Sequence, residues 1–220
     1  YFISNGYNAD YITLAIRDGN KSKSEREKFT SLSFILIDVH QINGGDAATM
    51  GRIYKSKMKT QGWWLGNTTY LVFKNVRVPK SHIIGEANKG FVPILENFNH
   101  GRFAMASTAI RYARCCLEDS MQFAQKRETF GRKLSEHQVI RHKLVDMMRR
   151  IERAQNLMEQ ITYQMDNGIS SRKLAPQMAM IKIEAAKCME FCAREASQIF
   201  GGRSYLRGGS AARVERIYRE

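Results

Sequence analysis

The sequence predicts an α+β protein: an antiparallel β sandwich or barrel in residues 1–90, followed by an antiparallel four-helix bundle in residues 91–220. Two observations lead to this prediction. Short runs rich in β-branched residues, separated by polar connections, fill the first part. In the second part, apolar residues recur every three or four positions over long stretches. We expect the first domain to be incomplete at its N-terminus, because Tyr1 is not a start methionine and the first residues already have the pattern of a strand. We expect the second domain to be incomplete at its C-terminus, because its last helical pattern runs to the end of the sequence.

Three segments of the first part have the composition of strands. They are residues 11–16, 32–37 and 69–74. The charged residues 17–28 are expected to form a loop, and residues 43–46 contain the glycines, Asn and Asp of a turn. Residues 76–79 are expected to continue the last strand until Pro79, which has no N–H to donate, ends the pairing.

The second part has the periodicity of long helices. Eight apolar residues predict one continuous helical face: Ile140, Leu144, Met147, Ile151, Ala154, Met158, Ile161 and Met165. Gly168 stands where such a helix ends. Further helices are expected over residues 93–127 and 174–200, and a last one from about residue 210. Ser135 is expected to cap the start of the second helix.

The composition narrows the function classes. No run of about 18 apolar residues exists to span a membrane, and no signal-peptide pattern is visible. The net charge of +14 favours anionic partners. The basic residues are spread along the chain, which weakens a nucleic-acid role and leaves room for phosphate-bearing small molecules. The four cysteines are expected to be buried free thiols of a reducing compartment: Cys115, Cys116, Cys188 and Cys192.

Two segments have residues that suit a phosphate-bearing ligand. In residues 126–138, Arg127 can pair with a phosphate, Thr129 can donate its hydroxyl and Phe130 can lie against a ring. The amides at the start of the following helix favour anions. In residues 198–203, paired glycines allow a ligand to approach the backbone. The same residues also suit a capped helix–helix turn and a helix stop, and the pattern alone leaves both interpretations open.

Four segments, in order along the chain, resemble the acyl-CoA dehydrogenase family. Arg127-Glu-Thr-Phe-Gly131 with Gln138 is similar to the family signature R-x-x-F-G-x-x-[ILV]-x-x-x-Q. Gln198-Ile-Phe-Gly-Gly202 resembles a second family motif, and Phe2-Ile-Ser-Asn-Gly6 resembles a W-I-T-N-G strand. Leu71-Val-Phe-Lys-Asn-Val-Arg-Val-Pro79, Ile84-Gly-Glu86 and Lys89-Gly-Phe91 resemble the run that leads from the β domain into the helices. Together the four matches cover nearly the whole chain.

The resemblance implies an FAD-dependent enzyme that dehydrogenates an acyl-CoA. It assigns Phe2 and Ser4 to the isoalloxazine ring, and Arg127, Thr129, Phe130, Gln138, Gln198 and Gly202 to the adenosine-diphosphate end of an FAD held mainly by a neighbouring subunit. Phe2 and Ser4 replace the family's frequent Trp and Thr, and they keep a ring face and a hydroxyl. The resemblance also implies a homo-oligomer, usually a tetramer built as a dimer of dimers. Electron-transfer flavoprotein is the expected acceptor, in the mitochondrial matrix or the bacterial cytoplasm.

Family chemistry further requires a carboxylate base that removes the α-proton of the acyl group. One family position for this base falls on Gly101, which cannot act, and the other lies beyond Glu220, where a Glu is expected. Arg102 matches an Arg at the floor of the family's substrate site, with a structural ion pair as the alternative. His100 is expected to be a surface residue. Three further hypotheses about the function stay open: a non-catalytic assembly subunit, an oxidase-like enzyme and a basic nucleic-acid-binding flavoprotein of the same fold.

Overall fold

A computed structural model describes residues 1–17, 24 and 31–220 of the chain. These residues form two compact units, Tyr1–Leu95 and Glu96–Glu220. Each unit has its own cluster of buried apolar side chains. The predicted order, a β-rich part followed by a helical part, is confirmed by this arrangement, whereas the domain boundary at residue 90 stays a prediction.

The first unit contains two antiparallel sheets. Its strands are β1 (Tyr11–Arg17), β2 (Leu32–Asp38), β3 (Arg52–Lys57), β4 (Thr69–Lys74) and β5 (Ile83–Ile84). Strand β2 pairs with β1 on one side and β5 on the other, and β3 pairs with β4. Side chains alternate along β2, so that Ile35 and Ile37 enter the core while their neighbours face outward. Ile12 of β1 and Ile53 of β3 belong to the same buried cluster, which therefore joins the two sheets.

The three predicted strands are confirmed, but the connections differ from the expectation. Strand β3 was not predicted, because its charged side chains resemble a loop and only Ile53 is fully buried. The predicted turn at residues 43–46 lies where two short helices meet: α1 (Val39–Gly44) ends there, Gly45 follows it, and Asp46 caps α2 (Ala47–Met50). The turn is therefore present, but the two helices that it joins were not predicted. Residues 76–79 join no sheet. Most of the predicted loop over residues 17–28 lies outside the described residues.

The second unit consists of long helices and a small hairpin. Its elements are α3 (Phe91–Lys126, from Glu96 on in this unit), β6 (Glu128–Thr129), β7 (Arg132–Lys133), α4 (Gln138–Asp166), α5 (Ala175–Phe200) and α6 (Ala212–Arg219). All eight residues of the predicted apolar face of α4 are buried or half-buried, as expected. Gly168, at φ 82°, follows the end of α4 in the left-handed conformation that favours glycine.

Ion pairs join the helices at the surface of this bundle. Asp119 of α3 accepts a hydrogen bond from Nε of Arg213 in α6 at 2.8 Å, and it raises the pKa of the Arg213 guanidinium above its ordinary value. Arg114 of α3 lies 3.4 Å from Glu152 of α4. Exposed pairs of this kind contribute at most about 1 kcal/mol each, so the buried apolar faces carry most of the stability.

The four cysteines are all buried in the bundle, as predicted. Cys116 is inaccessible to solvent, and burial raises the pKa of its thiol to about 12. Within the described part of the chain, no helix is both long and apolar enough to cross a bilayer. The same residues contain no group of three or more His, Cys, Asp or Glu side chains placed to hold a metal ion.

Candidate cofactor site

The pairing of α4 with α5 places the start of one beside the end of the other. Gln164 donates to Gln177 at 3.1 Å near the far end of the pair, and the Cys192 thiol lies 4.0 Å from the Met147 carbonyl in the middle. Residue numbers therefore rise along α4 as they fall along α5, which defines an antiparallel pair. Continued by about two and a half turns beyond Met147, this register brings Gln138, the first residue of α4, level with the end of α5 and the glycines after it, about one turn past Gln198.

The C-terminal end of α3 reaches the same end of the bundle. The Phe123 ring stacks on the Phe200 ring with their centroids 4.4 Å apart. Arg127 lies one turn after Phe123, to whose carbonyl it donates its N–H at 2.9 Å, and Gly202 lies two residues after Phe200. The two motifs that are far apart in the sequence are therefore neighbours in space.

The segment between α3 and α4 is a β-hairpin and not the helix–helix turn considered from the sequence. Thr129 of β6 pairs with Arg132 of β7, and Phe130 and Gly131 form the two-residue tip. Both tip residues have positive φ, 53° and 74° respectively, as a two-residue hairpin turn requires. This conformation suits Gly131 but costs an aromatic residue roughly 1–2 kcal/mol. The Phe130 ring is 95% exposed, so packing within the described chain repays little of that cost.

His137 joins the hairpin to the start of α4. Its Nε2 lies 3.2 Å from the Thr129 carbonyl oxygen and 3.3 Å from the Thr129 hydroxyl. Its ring also meets the Phe130 ring edge-on, with centroids 6.4 Å apart. The predicted cap at Ser135 is wrong: α4 begins at Gln138, and His137 precedes it without a side-chain cap, because residues 134–136 form a 3-10 turn. His137 was missed from the sequence, where nothing distinguishes it from a surface residue.

The turn after α5 exposes its backbone. Gly201 has φ 59°, and a Cβ on either Gly201 or Gly202 would meet no atom within 4 Å. Gln198, one turn earlier, is exposed together with both glycines. Open space on this side of the backbone allows a ligand to approach it closely.

Cationic side chains surround these groups. Arg127 and Arg132 are exposed, as are Lys126 and Lys133. None of the four makes an ion pair with a carboxylate among the residues that the structure describes. Exposed cations without carboxylate partners, an exposed ring, a hydroxyl and two carboxamides at one end of a rigid bundle suit a ligand with phosphate groups and a flat ring.

The predicted substrate residue, Arg102, lies far from this end. At roughly 1.5 Å per residue, about 36 Å of helix α3 separates Arg102 from Lys126. Nη1 of half-buried Arg102 donates to Oδ1 of Asn99 at 2.9 Å, and the Asn99 amide lies 3.4 Å from the Ser171 carbonyl. Gly101 beside it leaves open space where a Cβ would stand, and His100 is exposed, as predicted. The structural alternative for Arg102, an ion pair, is not formed with any described residue.

Phe2 and Ser4 lie in the first unit on an edge segment. Ile3 between them forms an antiparallel bridge with Thr69, with N–O distances of 3.0 and 2.9 Å. Phe2 has φ 58° and is 72% exposed, and Ser4 is exposed as well. Trp63, Trp64 and Leu65 are exposed in the adjoining turn, where Asn5 donates its N–H to the Gly66 carbonyl at 2.6 Å. This exposed aromatic turn was not predicted, although Gly62-Trp-Trp-Leu-Gly66 is a visible aromatic signal in the sequence.

Residues 88–220, more than half of the chain, match the family model of the acyl-CoA dehydrogenase C-terminal domain. The chain belongs to the acyl-CoA dehydrogenase family. An acyl-CoA dehydrogenase of Alternaria alternata, AFT10-1, is 35% identical and aligns with 100% of this chain and 48% of its own length. The caffeyl-CoA reductase–Etf complex subunit CarC of Acetobacterium woodii is 34% identical over 70% of this chain and 39% of its own length.

Solved structures of the family confirm the predicted fold class. The crystal structure of a probable acyl-CoA dehydrogenase from Mycobacterium abscessus superposes with a TM-score of 0.84 at 30% identity, covering 99% of this chain and 53% of that one. The chain thus spans about half the length of the relatives that it matches.

Proposed function

We propose that the complete protein is an FAD-dependent oxidoreductase that dehydrogenates an acyl-CoA thioester. The observation that carries the proposal is the convergence of two distant motifs at one end of the bundle, where the Phe123 and Phe200 rings stack at 4.4 Å. Family membership supports the reaction class. In the proposed enzyme, this end of the chain serves the adenosine-diphosphate half of an FAD that a neighbouring copy holds by its flavin.

The groups at this end fit that half of the cofactor. Arg127 supplies a planar cation for the diphosphate, and the Thr129 hydroxyl and the Phe130 ring lie on the hairpin next to it. Gln138 and Gln198 offer amide donors and acceptors for the sugar and base. Gly202 leaves its backbone open, because a Cβ there would meet no atom within 4 Å. No group in the set has to break an ion pair with a described residue before it binds the ligand.

The proposed role of the other end of α3 rests on the charge of Arg102 and on the absence of a side chain at Gly101. Arg102 keeps its positive charge uncompensated, since Asn99 is a neutral partner. A half-buried cation of this kind attracts an acyl-CoA group that carries or develops negative charge. Bound FAD supplies the acceptor for the hydride that leaves the β-carbon of the acyl group. Gly101 cannot remove the α-proton, so a carboxylate from elsewhere in the complete protein is part of the proposal.

An assembly of copies is also part of the proposal. One copy presents its diphosphate-binding end and Arg102 about 36 Å apart along α3, so the two serve different ligand molecules or different halves of shared sites. A dimer is the smallest assembly that completes such a site. Electron-transfer flavoprotein is the proposed acceptor, supported by the 34% identity to a subunit named for its complex with Etf.

The test uses the purified complete protein. We expect it to carry FAD, with a visible absorbance that an acyl-CoA bleaches under anaerobic conditions. Butyryl-, octanoyl- and palmitoyl-CoA, each tried separately, sample short, medium and long chains. A protein that does not bind added FAD contradicts the whole proposal. A protein that binds FAD but is bleached by none of the three contradicts dehydrogenation and supports the non-catalytic alternative.

A further inference from the structure

Arg203 lies at the candidate cofactor site, yet neither the sequence motifs nor the resemblance assigns it a role. It follows Gly202 directly, and its guanidinium carbon lies 5.4 Å from the centroid of the Phe123 ring. Phe123 in turn precedes Arg127 by one helical turn. Arg127, within one motif, and Arg203, directly after the other, therefore both lie near the same short stretch at the C-terminal end of α3.

The turn that carries Arg203 is held in place by its neighbour. Residues 201–205 form a 3-10 turn, and the Ser204 hydroxyl lies 2.8 Å from the Gly201 carbonyl and 3.1 Å from the Ser197 carbonyl. Leu206 donates its N–H to the Arg203 carbonyl at 3.3 Å. These contacts fix the backbone on both sides of Arg203. Because the side chain also stacks on Phe123, less conformational freedom is lost when a ligand binds.

The charge of Arg203 is available for a ligand. In the described part of the chain, its guanidinium makes no ion pair with a carboxylate, in contrast to Arg213, which is paired with Asp119. Stacking on a ring leaves the edge of the guanidinium, where its N–H donors lie, free for an acceptor. A planar guanidinium with free N–H donors can donate two parallel hydrogen bonds to two oxygens of one phosphate.

We propose that Arg203 is a second cation for the diphosphate in the adenosine-diphosphate half of FAD, acting beside Arg127. The inference rests on the proposed function, because it takes FAD as the ligand of this end. A diphosphate carries two negative charges, which two guanidinium groups near the same end of α3 would match in number. The competing explanation is structural: Arg203 sits near the C-terminal end of α3, where a cation stabilises the helix dipole.

The test compares three variants of the complete protein after its FAD has been removed. Arg203→Gln removes the charge, Arg203→Lys keeps the charge but not the planar fork, and Arg172→Gln makes the matched charge change at the opposite end of the bundle. FAD affinity is measured by fluorescence titration at several salt concentrations, and the thermal midpoint of each apo-protein is recorded. We expect Arg203→Gln to weaken FAD binding about tenfold, as loss of a hydrogen bond to a charged group does.

The remaining readouts separate a ligand contact from a structural one. We expect a shallower salt dependence for Arg203→Gln, a smaller loss for Arg203→Lys, and no change for Arg172→Gln. A lower thermal midpoint with unchanged FAD affinity overturns the inference in favour of the structural role. Weaker binding of free CoA with unchanged FAD affinity also overturns it, because it assigns Arg203 to the other adenosine nucleotide. If the unaltered protein binds no FAD, the proposed function itself fails.

Discussion

The two ends of helix α3 within the bundle carry different kinds of surface. At its C-terminal end, exposed cations, a hydroxyl and the 95% exposed Phe130 ring gather on a hairpin whose tip adopts a costly conformation. Towards its N-terminal end, Arg102 is half-buried and bonded to Asn99, and Gly101 leaves open space beside it. The first end displays many groups outward, whereas the second holds one cation next to a gap, by which we mean the open space beside exposed Gly101.

This difference indicates two separate tasks for one copy. Displayed groups on a strained hairpin are suited to a ligand that is supplied from outside the chain. A single positioned cation beside a gap suits a ligand that fills the gap and meets the charge. Because about 36 Å of helix separates the two ends, substitutions at one end are expected to leave the task of the other intact.

The largest expected effect comes from Arg127→Gln. Loss of a charged, two-pronged contact to the diphosphate is expected to weaken FAD binding about thirtyfold, which corresponds to roughly 2 kcal/mol. Fluorescence titration of the apo-protein with FAD measures the change. Because Arg127 is exposed, the thermal midpoint of the apo-protein is expected to stay within about 1 °C of the unaltered protein.

Arg102→Gln is the matched control at the other end of α3. It removes the same charge, and FAD affinity is expected to stay unchanged while turnover of acyl-CoA falls. Equal losses of FAD affinity in Arg102→Gln and Arg127→Gln would show that the two ends do not have separate tasks.

A somewhat smaller effect on FAD binding is expected from Phe130→Gly. The substitution is expected to weaken binding but not to lower the stability of the apo-protein. Removing the ring is expected to weaken FAD binding about tenfold, the size of a ring-stacking contribution. Glycine adopts the positive φ of 53° without strain, so the apo-protein is expected to be as stable as before or more stable by up to about 1 kcal/mol. Thermal unfolding and FAD titration of the same sample measure both. Loss of stability and binding together would indicate that the ring packs within the protein.

Some features of the two units were predictable from the sequence and others were not, for physical reasons. The apolar face from Ile140 to Met165 was predictable because burial imposes the helical period on the residues themselves. The hairpin was not, because Phe130 occupies a backbone conformation that its side chain disfavours. The neighbourhood of Gln138 and Gln198 depends on how α4 and α5 pair, which local patterns do not record. Strand β3 was not predicted because most of its side chains are polar or charged and Ile53 is its one buried residue, so the strand has no clear apolar alternation.

Cys116, in the middle of α3, provides a pH-dependent test of whether water reaches the interior of the bundle. Burial raises the pKa of the Cys116 thiol to about 12 in the folded state, whereas an unfolded thiol has a pKa of about 8.5. The folded state therefore loses stability as pH rises from about 8.5 towards 12, because only the unfolded chain gains the ionised thiol. A loss of about 2 kcal/mol between pH 7 and pH 10 is expected from this residue in denaturant titrations. Cys116→Ala is expected to flatten the dependence, and an unchanged slope would place the thiol in contact with water.

The smallest expected change, Gly101→Ala, examines the gap at the Arg102 end. A Cβ at this position meets no atom within 4 Å, and the residue lies inside α3, where glycine disfavours the helix. Alanine is therefore expected to raise stability by roughly 0.5–1 kcal/mol in denaturant titrations. FAD affinity is expected to stay unchanged, because the diphosphate-binding groups lie at the other end. If the gap holds the acyl group, the added methyl raises KM for acyl-CoA while the protein itself becomes more stable. A more stable variant with an unchanged KM would mean that the open space beside Arg102 is not used by the substrate, and Arg102 would then lose its assignment as a substrate residue.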